Sequence, residues 1–230
     1  MLFRSYLLMQ LILLGLPGAG KGTQAALLAD RLGLLHISTG DLFRAAAAEG
    51  TELGKRAQEY MSRGELVPDE VTINMLLERI ARPDAAAGIM LDGFPRTIPQ
   101  AEALDGALAG QGRQIDGVLY IKVPEELLMA RLTGRWNCPN CSAIYHELSS
   151  PPKQSGVCDK CGASLTQRAD DRPETVSNRL ATNRAWTEQL ADFYQAQGKL
   201  HPVDGTGEPT DVTTRLLGAI EQVSAASGKA

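Results

Sequence analysis

The chain has 230 residues, of which 43% are hydrophobic and 22% charged, with a formal net charge of −4 at pH 7. That length can bury a full core as one domain with insertions or as two, and the composition is ordinary for a soluble globular protein. The mild acidity excludes a bulk electrostatic draw to nucleic acid, and no stretch reaches the roughly 20 apolar residues needed to span a bilayer.

Residues 1–8 place one arginine before apolar residues, as a signal peptide does. The apolar run ends in a glycine-rich loop with no small-residue cleavage site, so a short extension is expected, with Met9 an alternative start. A cytoplasmic location is expected. The run Leu7–Leu14 reads as a buried parallel strand. It leads into Gly15-Leu-Pro-Gly18-Ala19-Gly20-Lys21-Gly22-Thr23, and then into a segment to Leu32 with helical composition and spacing. Strand, glycine-rich loop and helix form the context of a phosphate-binding loop. Its backbone N–H groups and helix N-terminus face an anion, and Lys21 reaches the outer phosphates. The common form of this loop has Ser or Thr directly after the lysine to hold Mg²⁺. Here Gly22 stands there, so either Thr23 is displaced towards the metal or water and another carboxylate hold it.

Four further strand-like runs follow: 34–37, 88–91, 118–123 and 200–203. Five short strands separated by helical segments predict an α/β fold, a five-stranded parallel sheet with helices on both faces. Ligands of such sheets bind beyond the carboxyl ends of the strands. The first three strands end in the glycine loop, in Ser38-Thr39-Gly40-Asp41 and in Asp92-Gly93-Phe94-Pro95-Arg96. Asp92 stands where a carboxylate could hold Mg²⁺ through water.

Two segments break the alternation. Residues 38–67 read as a helical insert jointed at Gly50, Gly54 and Gly64. Residues 134–171 contain all four cysteines, Pro151-Pro152 and little helical periodicity, and read as a small separate unit. The expected core is therefore 1–37, 68–133 and 172–230. Asp171-Arg-Pro173-Glu174 has the form of a capping box with proline in the first turn. It opens a helix carrying Val176, Leu180, Asn183, Trp186, Leu190 and Phe193 at spacings of three or four.

Cys138-x-x-Cys141 and Cys158-x-x-Cys161 have zinc-knuckle spacing. Four thiolates leave no open position on the metal, so a Zn²⁺ here is structural and replaces a core that so small a unit can hardly build. Two disulfides or a dithiol redox centre are the rivals, and a cytoplasmic location disfavours both. His146 lies between the knuckles, but it reads as an ordinary packing histidine, as do His36 and His201.

Phosphoryl transfer needs positive charge around the migrating group more than it needs a base, and arginine binds phosphate bidentately without deprotonating. Arg44, Arg96, Arg131, Arg135, Arg168 and Arg179 lie at loop and insert boundaries or on the helix behind. Asp170 is expected to orient arginines or ribose, with Asp171 as the helix cap.

Taken together, these motifs resemble the adenylate kinase family in its long-lid, zinc-containing bacterial form, from about Gln10 to Leu217. The resemblance rests on Gly15 to Thr23, Ser38 to Arg44, Leu91 to Arg96 with Gln100, Gly134-Arg135, Asp170-Asp171 with Glu174-Thr175, and Val203 to Thr206. The family's loop has glycine after the lysine. The resemblance implies that residues 38–67 bind a nucleoside monophosphate and that 134–171 form a zinc lid. ATP would be held by Gly18, Ala19, Gly20, Lys21, Gly22, Thr23, Arg131, Arg135, Ile144, Tyr145, Gly205 and Gly207. AMP would be held by Thr39, Arg44, Glu65, Leu66, Val67, Gly93, Phe94, Pro95, Arg96, Gln100, Arg168 and Arg179. Lys21, Arg96, Arg131, Arg135, Arg168, Asp170 and Arg179 would serve the transfer, with Mg²⁺ held through Asp92 and water. The implied reaction is ATP + AMP ⇌ 2 ADP in a monomer, without nucleic acid or membrane. Trp136 departs from the basic residue common at that position. A kinase for UMP or CMP is the first rival, and Thr39 and Gln100 favour adenine. A nucleic-acid-binding zinc ribbon is the second, and it lacks clustered Lys/Arg among aromatics.

Overall fold

The computed structural model describes residues 8–228. Met1 and Leu7 lie outside the described residues, and with them the question of which methionine starts the chain and the first residue expected in the first strand. Leu8 is a turn residue with φ 78°.

The elements run β1 (Gln10–Leu14), α1 (Lys21–Leu32), β2 (Leu35–Ser38), α2 (Thr39–Ala48), α3 (Glu52–Ser62), α4 (Asp69–Ile80), β3 (Ile89–Asp92), α5 (Ile98–Ala109), β4 (Gly117–Lys122) and α6 (Glu125–Thr133). Two short strands follow, β5 (Arg135–Asn137) and β6 (Ile144–His146), then α7 (Pro173–Ala196), β7 (Leu200–Asp204) and α8 (Pro209–Ser227). The five long strands form one sheet in the order β2-β3-β1-β4-β7, every pair parallel.

The apolar strands are explained by burial on both faces. Leu11 and Leu13 of β1 pack with Met90, Leu119 and Ile121 against α1, α6 and α8. Ile12 and Leu14 point the other way, with Leu91 and Val118, into Leu76, Leu104 and Leu190 of α4, α5 and α7. Because β1 is central and the chain crosses from β3 to β4 over it, the glycine loop after β1 opens at the middle of the sheet's carboxyl edge. That edge is where an open α/β sheet leaves a crevice.

The two segments that break the alternation differ in what holds them. α2 and α3 form a helical pair around Phe43, Ala57 and Val67. The hydroxyls of Ser38 and Thr51 cap their N-termini, accepting from the N–H groups of Asp41 and Gly54. At Gly54 an added Cβ would lie 2.2 Å from the backbone of Ala46 and Ala47, so only glycine lets these helices approach. Residues 134–171 contain the β5–β6 hairpin and a small cluster of Cys138, Ala143, Tyr145, Cys158 and Leu165.

Two expectations need correction. Asp171 does not cap α7: the N-cap residue is Arg172, with no side-chain cap, and Asp171 is fully buried among arginines. The buried stripe of α7 runs through Val176, Leu180, Asn183, Thr187, Leu190 and Tyr194, leaving Trp186 exposed and Phe193 at the margin.

Candidate active site

A cavity of about 800 Å³ opens over the carboxyl ends of β1, β2 and β3. Every residue expected at the nucleotide sites lines it except Phe94, whose ring is buried in the core below α5. The loop backbone explains why. Gly93 has φ 77°, and Gly93, Pro95 and Arg96 face the cavity while Phe94 turns inward. Thr39 Oγ1 donates to the Gly93 carbonyl at 2.9 Å and Arg96 Nε to the same oxygen at 2.9 Å. The ends of β2 and β3 are thereby joined.

The glycine loop wraps the head of α1. Gly18 and Gly20 have φ 84° and 92°, a left-handed backbone that glycine takes without strain. Lys21 Nζ donates to the carbonyls of Gly15 at 2.7 Å and Leu16 at 3.0 Å. Desolvation lowers its pKa to about 8, with Arg96, Arg179 and Arg135 adding to the effect and Asp92 opposing it. Gly22 also has a local cause. A Cβ there would lie 3.3 Å from Asp92 Oδ2, so a hydroxyl-bearing side chain would crowd the carboxylate. Burial acts to raise the Asp92 pKa, but His36 and Lys21 outweigh it and hold the carboxyl below its ordinary range. His36 therefore belongs to this site: its Nε2 is 3.9 Å from Asp92 Oδ2 and its ring lines the cavity.

The arginines enter from three directions. Arg96 follows β3, Arg179 comes from α7, and Arg135 and Arg168 stand at the two ends of the cysteine-bearing segment. Arg135 makes a bidentate pair with Asp171, Nε–Oδ2 2.8 Å and Nη2–Oδ1 2.5 Å. Arg179 Nη1 reaches Asp170 Oδ2 at 2.9 Å and Asp171 Oδ1 at 3.2 Å. Burial and neighbouring guanidinium groups push Arg96 and Arg168 down to about 10, still charged at neutral pH. Burial opposes ionisation of Asp170, yet Arg179, Arg135 and Arg168 keep it low. Arg168 Nε is buried with no hydrogen-bond partner. So much positive charge gathered in one cavity is arranged for a polyanion. Arg131 donates to the Gly205 carbonyl at 3.2 and 3.3 Å, joining α6 to the turn after β7. Arg44 pairs with Asp41 at 2.5 Å.

The four cysteine sulfurs lie within 4.8 Å of one another. The nearest contacts are Cys138–Cys161 at 3.3 Å and Cys141–Cys158 at 3.5 Å. Sulfurs around a tetrahedral Zn²⁺ stand about 3.8 Å apart, whereas a disulfide needs about 2.05 Å. This donor set therefore fits a soft tetrahedral metal and holds no disulfide. Tyr145 turns its hydroxyl into this cluster, 3.4 Å from Cys158 Sγ, and accepts from the Asp159 N–H at 2.7 Å. Ile144 instead stays exposed on the cavity wall. His146 also has a bonded place: Nδ1 lies 3.2 Å from the N–H groups of Leu148 and Ser149, and Nε2 lies 3.2 Å from the Ala130 carbonyl at the end of α6. Trp136 pairs with Tyr145 across the hairpin and is half-exposed outside the cavity.

The family model described as adenylate kinase matches residues 13–199 of this chain. The chain belongs to the adenylate kinase family. Curated adenylate kinases align with it along nearly their whole length. That of Oceanobacillus iheyensis is 57% identical over 197 residues, covering 86% of this chain and 92% of the relative. That of a Geobacillus species is 56% identical over 216 residues, covering 93% and 100%, and that of Carboxydothermus hydrogenoformans is 54% identical over 214 residues, covering 93% and 100%. The glycine at position 22 and the four-cysteine segment thus sit within an adenylate kinase framework. Among the described residues no helix is long and apolar enough to cross a membrane.

Proposed function

We propose that this chain catalyses ATP + AMP ⇌ 2 ADP, with both nucleotides held in the one cavity. The observation that carries this assignment is the convergence of Lys21, Arg96, Arg135, Arg168 and Arg179 on a phosphate-binding loop, within a chain of this family. The loop 18–23, Arg131, Ile144, Gly205 and Gly207 form the donor side. Thr39, Arg44, residues 65–67, the 93–96 loop and Gln100 form the acceptor side.

The acceptor phosphate is already an anionic nucleophile, so no general base is required. One of its oxygens bonds to the γ-phosphorus as the bond from that phosphorus to the β,γ-bridging oxygen breaks, and the electron pair leaves with the β-phosphate of ADP. What the chain supplies is position and charge. Lys21 and the arginines neutralise charge on the migrating group, and Asp170 and Asp171 hold Arg135 and Arg179 so that little reorganisation is needed at the moment of transfer. Asp92 is the residue to hold Mg²⁺ through water, since the bare Gly22 leaves its carboxylate uncrowded. The metal would supply charge neutralisation on the nucleotide phosphates.

Residues 38–67 and 134–171 are proposed to be mobile covers over the acceptor and donor sides. Closure only around both nucleotides keeps transfer to water from competing, and lid closure of this kind is a known trait of adenylate kinases. Cys138, Cys141, Cys158 and Cys161 would hold a structural Zn²⁺ that makes the lid move as one body. A cytoplasmic monomer is the expected form. Lys21→Met tests the assignment. The variant should fold normally and lose about a hundredfold or more in ADP formation; full retained activity would overturn it.

A further inference from the structure

Asp69 opens α4, two positions beyond the 65–67 loop, and does not line the cavity. Its carboxylate nevertheless bridges to α5. Oδ2 accepts from Thr97 Oγ1 at 2.8 Å, and Oδ1 accepts from Gln100 Nε2 at 2.7 Å. Gln100 is 1% exposed, and its Oε1 accepts from the Arg96 N–H at 2.8 Å. A carboxylate can only accept and a backbone N–H can only donate, so both ends of the Gln100 amide are assigned. Reversing the amide would set oxygen against oxygen and N–H against N–H inside a buried site, at the cost of two unsatisfied pairs.

Each end of that amide keeps one free valence, an N–H on Nε2 and a lone pair on Oε1, and Gln100 lines the acceptor side of the cavity. The cavity therefore meets a donor and an acceptor in one fixed order. A 6-aminopurine presents N6–H and N1, donor then acceptor. A 6-oxopurine presents O6 and N1–H, the reverse order on a ring of the same size. A freely turning amide would serve both, whereas a fixed one serves one.

We infer that Asp69 is a positioning residue which, together with the Arg96 N–H, fixes the Gln100 amide and so sets the preference for a 6-amino over a 6-oxo purine monophosphate. This inference rests on the reading of the acceptor as AMP. It also assigns Asp69 a task that Thr97 does not share: the Thr97 hydroxyl accepts from the Gln100 N–H at 3.4 Å and caps α5, without touching the Gln100 amide.

The test compares kcat/KM for AMP and IMP, with ATP as donor, in the wild type, Asp69→Ala, Asp69→Asn and Thr97→Val. Asp69→Ala should lose about tenfold or more of the AMP-over-IMP preference through a raised KM for AMP, with the KM for ATP unchanged. Asp69→Asn keeps an acceptor for Gln100 Nε2 and should keep the preference. Thr97→Val should melt lower and keep the preference, which a merely structural role for Asp69 would not separate. A folded Asp69→Ala protein with the wild-type AMP:IMP ratio overturns the inference. Should that variant not fold, the wild-type Gln100 side-chain amide decides: one proton shifted downfield and protected from exchange supports it, and two freely exchanging protons overturn it. A wild type without preference for AMP overturns the acceptor reading itself.

Discussion

Arg135 and Asp171 stand 36 positions apart in the chain yet are joined by two hydrogen bonds, of 2.8 and 2.5 Å, at the neck of the cysteine-bearing segment. Arg135 begins that segment and Asp171 ends it, so the pair fixes how the segment leaves and rejoins the sheet. Asp171 also contacts Arg179 and is wholly buried. Asp171→Ala leaves the largely buried Arg135 guanidinium without its counter-charge, while Arg179 keeps Asp170; breaking one side of a buried pair costs about 3–5 kcal/mol. We expect a clearly lower melting temperature together with a lower kcat. A calorimetric scan and turnover assay on one preparation check this; unchanged values in both would remove Asp171 from the site.

Lys21 gives the pH dependence. Burial holds its pKa at about 8 in the free protein, against 10.5 for an ordinary lysine. The group loses its charge as pH rises through about 8, and with it the attraction to phosphate. ATP restores the charge by supplying anions, so binding near pH 8 takes up a proton. The kcat/KM for ATP should fall above about pH 8, while kcat at saturating ATP holds to higher pH. Between about 8 and 10.5 the unfolded chain carries the extra proton, so this group makes the nucleotide-free fold more stable as pH rises. Titration calorimetry in two buffers of different ionisation enthalpy measures the proton directly. Proton release, or none, contradicts this account.

Much of this arrangement can be read from the chain, and what cannot has a common cause. β1 is apolar on both faces because Leu11 and Leu13 meet one helix layer and Ile12 and Leu14 the other, and a continuous apolar run is how such burial is written in sequence. The glycine loop, the cysteine knuckles and the boundary arginines are local patterns with local chemistry. Asp171 fails that test: Asp-Arg-Pro-Glu spells a helix start, and only Arg135, far away in sequence, turns the carboxylate elsewhere. His36 and Asp69 are likewise assigned by partners on other elements, Asp92 and Gln100. Tyr145 lines the cavity, and its hydroxyl bond to Cys158 is a further partner that only the fold shows. In α7 a step of three and a step of four both keep a residue near the buried face, and the structure takes the step of four to Thr187 and to Tyr194 where the sequence offers the apolar Trp186 and Phe193 at three.

Metal removal tests the proposed zinc lid. Among the described residues, the cluster around the cysteines holds Ala143, Tyr145 and Leu165 besides Cys138 and Cys158, with Ala163 packed against it, too little apolar surface to hold residues 134–171 alone. Chelation, or Cys161→Ser, should lower the melting temperature and the activity together. Chelated protein that keeps both the melting profile and the activity of the metal-loaded form would contradict a structural metal.

Tyr194 offers a stability test away from the site. Its ring is fully buried between α5 and α7, edge-on to Phe193 at 5.1 Å, and its hydroxyl has no hydrogen-bond partner. Burial pushes the phenol pKa well above its ordinary value. Removing an unsatisfied buried hydroxyl is neutral or favourable by up to about 1 kcal/mol. Tyr194→Phe should therefore melt at or above the wild-type temperature, with unchanged activity. A loss greater than about 1 kcal/mol would show that the hydroxyl is bonded after all.

In the proposed reaction one cavity holds ATP and AMP together and passes a phosphoryl group between them. The most direct measurement is a coupled assay of the wild-type protein with ATP as donor and AMP, UMP, CMP or GMP as acceptor, with zinc quantified in the same sample. AMP should exceed each of the others by a wide margin in kcat/KM and give two ADP per turnover. Equal rates across the four acceptors, or turnover of ATP that does not depend on AMP, would contradict it.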